Sequence, residues 1–221
     1  MKQRVKIKIC GLKRKEDIVI VNRLQPDYVG FVFAGSKRRV SEETAAELAR
    51  LLDPGIQKVG VFVNAPEEQI LRLLENRVID LAQLHGNESE ETVHRIRTQS
   101  GKPVIRVRIL QGSAEAESAM KPEYMTEAEY MLFDSGMGSG RCLDEKNLAL
   151  LKQFDRPYFL AGGLDSENVT GILDKLSGCI PYAVDVSSGV ETDGYKDEQK
   201  IRDFIARVRA WDEEEKGRTK E

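Results

Sequence analysis

The sequence predicts a single-domain α/β protein, a closed (β/α)8 barrel of the TIM type, on three observations. Short β-branched runs alternate eight times with longer stretches of helical period. No Pro/Ser-rich linker or shift of composition divides the chain. The length of 221 residues, long for one ordinary domain, is normal for a barrel of this kind.

The expected strands are Val5–Ile9, Tyr28–Phe33, Lys58–Val63, Asp80–Leu84, Val104–Ile109, Tyr130–Phe133, Tyr158–Ala161 and Tyr182–Val186. Helical patterns fill the intervals at Lys15–Leu24, Glu42–Leu52, Pro66–Asn76, Glu90–Gln99, Ala114–Met120, Glu145–Phe154 and Glu167–Leu176. Ser41 and Ser89 precede two of them as N-caps, and Pro66 suits a first turn. The segment Gly112–Glu129 supplies few large apolar residues for the fifth helix. The last helix, Asp197–Trp211, sets Ile201, Phe204, Ile205, Val208 and Trp211 on one face. The barrel therefore spans residues 1–211, and 212–221 reads as a charged, frayed tail.

Composition excludes several function classes. With 34 basic and 37 acidic residues interspersed, the net charge of −3 draws the chain to neither nucleic acid nor an anionic membrane. The opening Met1-Lys-Gln-Arg-Val-Lys lacks the apolar run of a signal or a span, so a cytoplasmic location is expected. Three cysteines, Cys10, Cys142 and Cys179, without C-x-x-C spacing argue against a disulfide framework and a zinc site.

In a barrel the chemistry belongs at the C-terminal ends of the strands. Polar residues collected there are Cys10, Arg38, Asn64, Gln83, His85 and Asp134, followed by two glycine-bearing loops. Strand seven runs into Gly162 and Gly163; strand eight passes Asp185 into Ser187, Ser188 and Gly189. Loops after strands seven and eight commonly hold phosphate, because glycine lets backbone N–H groups approach an anion. A small phosphorylated substrate follows. Each residue alone has a bland reading: a cysteine in an apolar strand packs as a small hydrophobe, Asp134 caps a turn, and Lys37-Arg-Arg39 is a solvated charge run.

Taken together, the motifs resemble one family. Lys8-Ile-Cys-Gly-Leu12, Gly30-Phe-Val-Phe33 with Ser36-Lys-Arg-Arg39, Gly60-Val-Phe-Val-Asn64, Gln83-Leu-His-Gly86, Phe133-Asp-Ser135 with Gly138-Ser-Gly140, Ala161-Gly-Gly-Leu164 and Ala183-Val-Asp-Val-Ser-Ser-Gly-Val-Glu191 occur in the order seen in the N-(5'-phosphoribosyl)anthranilate isomerases of tryptophan biosynthesis. The resemblance implies a (β/α)8 barrel performing an Amadori rearrangement without metal or organic cofactor; a monomer and a homodimer are both open on the sequence. It also implies Cys10 as general base, Asp134 as general acid, and Arg38, Gln83, His85 and Asp185 as substrate-binding residues, Arg38 on the anthranilate carboxylate. Phosphate is expected on Gly162, Gly163, Ser187, Ser188 and Gly189. Two departures are visible: Ala34-Gly35 replaces the usual aromatic and proline, and Gly140-Arg-Cys-Leu-Asp-Glu145 replaces the usual Gly-Lys-Thr-Phe-Asp-Trp. Both bear on loop geometry rather than on the acid and base.

The roles assigned to Cys10 and Asp134 require a protonated carboxyl and a thiolate. Strand period puts Lys8 on the face of Cys10, where a cation favours thiolate. Arg106 also alternates within strand five, so the lumen is expected to hold two cations, with Asp185 as partner to one. Two other phosphate-binding barrels, the histidine-pathway isomerase and indole-3-glycerol-phosphate synthase, fit less well. The first carries aspartate where Cys10 stands, and the lysine and glutamate pattern of the second is not evident.

Overall fold

A computed structural model describes residues 4–110, 126–134 and 145–218. Eight parallel strands close in sequence order: β1 (Lys6–Cys10), β2 (Tyr28–Val32), β3 (Gln57–Phe62), β4 (Leu81–Leu84), β5 (Val104–Ile109), β6 (Tyr130–Asp134), β7 (Tyr158–Ala161) and β8 (Ala183–Val186). The outer helices described are α1 (Lys15–Leu24), α2 (Glu42–Leu51), α3 (Glu67–Glu75), α4 (Glu90–Ser100), α5 (Glu145–Leu151), α6 (Val169–Lys175) and α7 (Glu198–Arg218). After β8 come a single 3-10 turn, Ser188–Val190, and a two-stranded hairpin of β9 (Glu191–Thr192) and β10 (Tyr195–Lys196). The expected fifth helix, Ala114–Met120, lies outside the described residues.

Local chemistry explains the element boundaries. Ser41 and Ser89 accept from the backbone N–H groups of Thr44 and Thr92, each at 3.1 Å, and so cap α2 and α4. Pro66 stands one residue ahead of α3 at the N-cap, where its missing N–H costs nothing. No described helix is long and apolar enough to cross a membrane.

Two apolar layers arise from the period of the strands. One face packs against the helices through residues such as Ile7, Val29, Phe62, Leu84, Phe133 and Val184. The opposite face fills the lumen with Tyr28, Val59, Leu81, Ile105, Val107, Leu132, Phe159 and Ala183. Tyr130 and Tyr182 stack at 4.9 Å, and the Tyr28 and Tyr182 hydroxyls share a hydrogen bond of 2.8 Å. Because Ile105 and Val107 occupy the lumen, Arg106 between them faces outward, which corrects the expectation of two lumenal cations. Among the described lumen residues, Lys8 is the cation above this apolar floor.

The N-terminal end of the barrel is closed by charge. Asp27 accepts from Arg4 (2.6 Å), Lys6 (3.0 Å), the backbone N–H of Ile7 (3.0 Å) and Arg209 of α7 (2.7 Å). α7 runs beyond Trp211 to Arg218, where the sequence suggested a frayed tail. The physical reason is that Asp212 accepts the backbone N–H of Val5 at 3.0 Å, and Glu215 is buried with it.

Burial alone would raise the Asp27 pKa, but Arg209, Lys6 and the Ile7 N–H outweigh it and hold the carboxyl below its usual value. Its contribution to stability is therefore complete above the unfolded carboxylate value near ~3.9 and is lost as pH falls toward the folded value. Asp27→Asn is expected to cost roughly 1.5–3 kcal/mol at neutral pH, read from urea unfolding, with the gap to wild type narrowing below about pH 4. A gap that is constant with pH would assign the loss to packing instead.

Candidate functional site

The site is assembled by register across the closure of the barrel. Hydrogen-bonded neighbours form one row, Ile109 beside Asp134, Asp134 beside Ala161, Ala161 beside Asp185 and Asp185 beside Lys8. Asp134 shares the lumenal face of Tyr130 and Leu132, so this row carries Asp134, Asp185 and Lys8 into one mouth. Cys10 stands one inward position further along β1, opposite Gly30 of β2. A Cβ on Gly30 would lie 2.6 Å from the Cys10 Sγ, so glycine there is what makes room for the thiol.

Lys8 has no contact with solvent. Its Nζ donates to Asp185 Oδ2 at 2.6 Å and Gln83 Oε1 at 2.8 Å. Burial works to neutralise the ammonium, but Asp185 and Cys10 together raise its pKa, so Lys8 stays charged. Burial also lifts the Asp185 carboxyl above its ordinary value while Lys8 pulls it down. Asp185 Oδ1 has no hydrogen-bond partner among the described residues.

Cys10 departs from the expectation of a thiolate favoured by its neighbours. Burial pushes the thiol up and outweighs the opposing pull of Lys8 and Lys196, while Asp185 reinforces burial. The cations nearest the sulfur are already paired, Lys8 with Asp185 and Lys196 with Glu191. The free thiol form is therefore favoured, and only a minor thiolate fraction is present at neutral pH. Across the mouth, His85 Nε2 lies 4.0 Å from Asp134 Oδ2. Burial lowers the His85 pKa against the pull of Asp134, leaving the imidazole neutral near pH 7.

Arg38 enters from the loop after β2 with its stem laid over Gly11, where a Cβ would meet Arg38 Cδ at 2.5 Å. Its Nε and Nη2 donate to the two carboxylate oxygens of Glu191 at 2.7 and 2.8 Å. Buried Lys196 donates to the same Glu191 at 2.9 Å and to the Ser187 carbonyl at 2.9 Å. Ser187 Oγ in turn donates to the Cys10 carbonyl at 3.1 Å. One chain of contacts thus joins Arg38, the serine loop and β1.

The two glycine-bearing loops lie edge to edge. Gly162 and Gly163 take φ of +100° and +63°, the left-handed region that favours glycine. A Cβ on Gly189 would fall 1.9 Å from the Leu164 carbonyl oxygen, so no side chain fits where the loops touch. Asn168 donates to the Gly163 carbonyl at 2.8 Å and fixes the first loop.

Three residues here escaped sequence reading. Glu88 accepts from the N–H groups of Asn64 (2.8 Å) and Gly86 (2.9 Å) and from Arg106 Nη1 (2.8 Å), tying the ends of β3, β4 and β5 together. Glu191 and Lys196 sit on the hairpin after β8. Its turn, Asp193-Gly194, is a recognisable hairpin signal, whereas nothing local marks Glu88. Of the other cysteines, Cys179 is bonded to the Leu151 carbonyl away from this site, and Cys142 is outside the described residues.

Removing Glu88 would leave the buried Arg106 guanidinium with the more distant Glu90, 3.9 Å from its Nε, in place of a hydrogen-bonded carboxylate. Glu88→Ala is expected to destabilise by about 3–5 kcal/mol, visible as a lower urea midpoint at unchanged slope. A loss within ~0.5 kcal/mol would mean that Arg106 finds solvent instead.

Comparison with known proteins gives this geometry a family. Residues 7–207 match the profile described as "N-(5'phosphoribosyl)anthranilate (PRA) isomerase". A relative of that name from Endomicrobium trichonymphae is 47% identical over 206 residues, covering 93% of this chain and 98% of its own. One from Clostridium acetobutylicum is 43% identical over 209 residues, with the same coverage of 93% and 98%. The crystal structure of the Thermotoga maritima phosphoribosyl anthranilate isomerase superposes with a TM-score of 0.81 at 33% identity, covering 93% of this chain and 99% of that one. A further isomerase structure, in complex with reduced 1-(o-carboxyphenylamino)-1-deoxyribulose 5-phosphate, gives 0.78 at 33% identity, with coverage of 93% and 99%. By sequence along nearly its whole length, and by its closed eight-stranded barrel, the chain belongs to the N-(5'-phosphoribosyl)anthranilate isomerase family.

Proposed function

We propose that Cys10 and Asp134 carry the family's isomerisation in this chain by paired proton transfer. The substrate is N-(5'-phosphoribosyl)anthranilate, and the step is the rearrangement of tryptophan biosynthesis that yields 1-(2-carboxyphenylamino)-1-deoxyribulose 5-phosphate. Asp134 gives a proton to the furanose oxygen as the bond from the anomeric carbon to that oxygen breaks and the nitrogen lone pair forms a protonated imine (iminium). Cys10, as thiolate, takes the proton from the adjacent sugar carbon, and the electron pair moves to make the enolamine. That species tautomerises to the ketone. One proton is delivered and one removed, so the product is an isomer and no external oxidant or reductant is consumed.

The observation that carries the reading is the shared row at the mouth, with Asp134 next to Ala161 on one side, Asp185 and then Lys8 on the other, and Cys10 one inward position beyond Lys8 along β1. Three strand steps of about 4.8 Å each separate β6 from β1 around the closed wall, so the acid and the base reach the mouth from different parts of the barrel. Asp185 Oδ1, without a hydrogen-bond partner among the described residues, suits a donated sugar hydroxyl, and Gln83 and His85 line the same mouth. Arg38 meets the anthranilate carboxylate, because a guanidinium offers paired donors to a planar two-oxygen group. Phosphate sits on Gly162, Gly163, Ser187, Ser188 and Gly189. The reaction needs no metal or organic cofactor. The protein works in the cytoplasm as a monomer or homodimer; one Thermotoga structure is described as monomers generated from a dimeric relative.

Purified protein should consume phosphoribosylanthranilate, with loss of its fluorescence, at the same rate with and without chelator. Cys10→Ala and Asp134→Asn should each lose roughly 10²–10⁴-fold in kcat with the fold intact, whereas Cys179→Ala stays active. Arg38→Lys should raise KM although the charge is kept. Turnover abolished by the chelator, or modest losses in the two acid/base variants, would overturn these roles.

A further inference from the structure

Arg38 has two edges that can meet a carboxylate, Nε with Nη2 and Nη1 with Nη2. The first is taken: Glu191 receives Nε at 2.7 Å and Nη2 at 2.8 Å, a planar two-point contact. The stem is fixed as well, since it crosses Gly11 at a distance no side chain there would allow. With one edge held and the stem pinned, the guanidinium plane has a single orientation, and its remaining edge is the one left for a ligand.

Glu191 is itself immobilised. Its side chain is 6% exposed, and Lys196, 1% exposed, donates to its Oε1 at 2.9 Å while also donating to the Ser187 carbonyl. Burial would raise the Glu191 pKa, but Arg38 and Lys196 hold it down at about 2, so the carboxylate is charged at neutral pH. Lys196 reaches the serine loop, and Ser187 reaches β1. The distance between the outer edge of Arg38 and that loop is thereby set by a rigid string of contacts rather than by two independent loops.

We propose that Glu191, buttressed by Lys196, is a positioning residue that aims the free edge of Arg38 and fixes its spacing from the phosphate loop, and so selects substrates whose carboxylate and phosphate stand that far apart. This rests on the reading of Arg38 as the carboxylate partner. Glu191 itself does not touch the substrate; it acts through Arg38.

The test is a double-mutant cycle on the full chain, with kcat and KM measured separately for phosphoribosylanthranilate. Glu191→Gln keeps the shape and removes the charge. It should raise KM by roughly ten- to hundredfold with a smaller change in kcat, the span expected for a charged hydrogen-bond pair. In an Arg38→Lys background, whose ammonium has no second edge to aim, the same substitution should add little. Inhibition by inorganic phosphate should stay at its wild-type value, showing an intact mouth. If Glu191→Gln also loses phosphate inhibition, Glu191→Asp replaces it, keeping the charge but shortening the reach, with the same expected rise in KM. An unchanged KM in Glu191→Gln, or effects that multiply in the double variant, overturns the proposal while leaving Arg38 in place. An unchanged KM in Arg38→Lys alone overturns the carboxylate assignment of Arg38 instead.

Discussion

A lysine ammonium wholly removed from water dictates how this barrel closes. Taking such an ion out of solvent costs several kcal/mol, which is recovered only when good hydrogen bonds surround it. Lys8 finds them on two other strands, Asp185 on β8 and Gln83 on β4. The register that joins β1 to β8 sets Lys8 directly beside Asp185, so a slip of one residue would turn the ion pair out of the lumen and leave apolar groups in its place. The same register delivers Cys10 to the mouth. Structural closure and chemical placement are one constraint here.

Above Lys8 the rim is braced by ion pairs that join loops remote in sequence. Arg106 and Glu88 bind the ends of β3, β4 and β5; Arg38, Glu191 and Lys196 bind the loop after β2 to the hairpin after β8. Both clusters are largely buried, so their attraction is little screened and their geometry is narrow. The opposite end has its own brace at Asp27, which collects charge from β1 and α7. Barrels commonly separate stability at the N-terminal face from chemistry at the C-terminal face, and the distribution of charge here follows that division.

The cysteine illustrates how neighbours and burial compete. Two ammonium groups near a thiol suggest an acidic sulfur, yet each is already neutralised by a carboxylate, and the sulfur is enclosed by Gly30 and β1. Desolvation then prevails, and the free thiol is favoured until something shifts the balance. Counting nearby charges predicts the wrong sign unless the partners of those charges are counted too.

The sequence by itself determined the strand and helix order, because β-branched runs and the 3.6 period are local, and it picked out Cys10, Arg38, Asp134, Asp185 and the two glycine-bearing loops, because they fall at strand ends in recognisable motifs. It also determined that Lys8 shares the face of Cys10, through the two-residue period alone. Only the tertiary structure decided which way Arg106 points, since the phase of β5 depends on its neighbours packing Ile105 and Val107 inward. It alone paired Arg38 with Glu191, 153 residues away, and extended the last helix past Trp211 by docking Asp212 on Val5, 207 residues away. Partnerships at such separations leave no periodic or compositional trace. They come into being only when eight strands close in one register and bring buried charges within reach of each other.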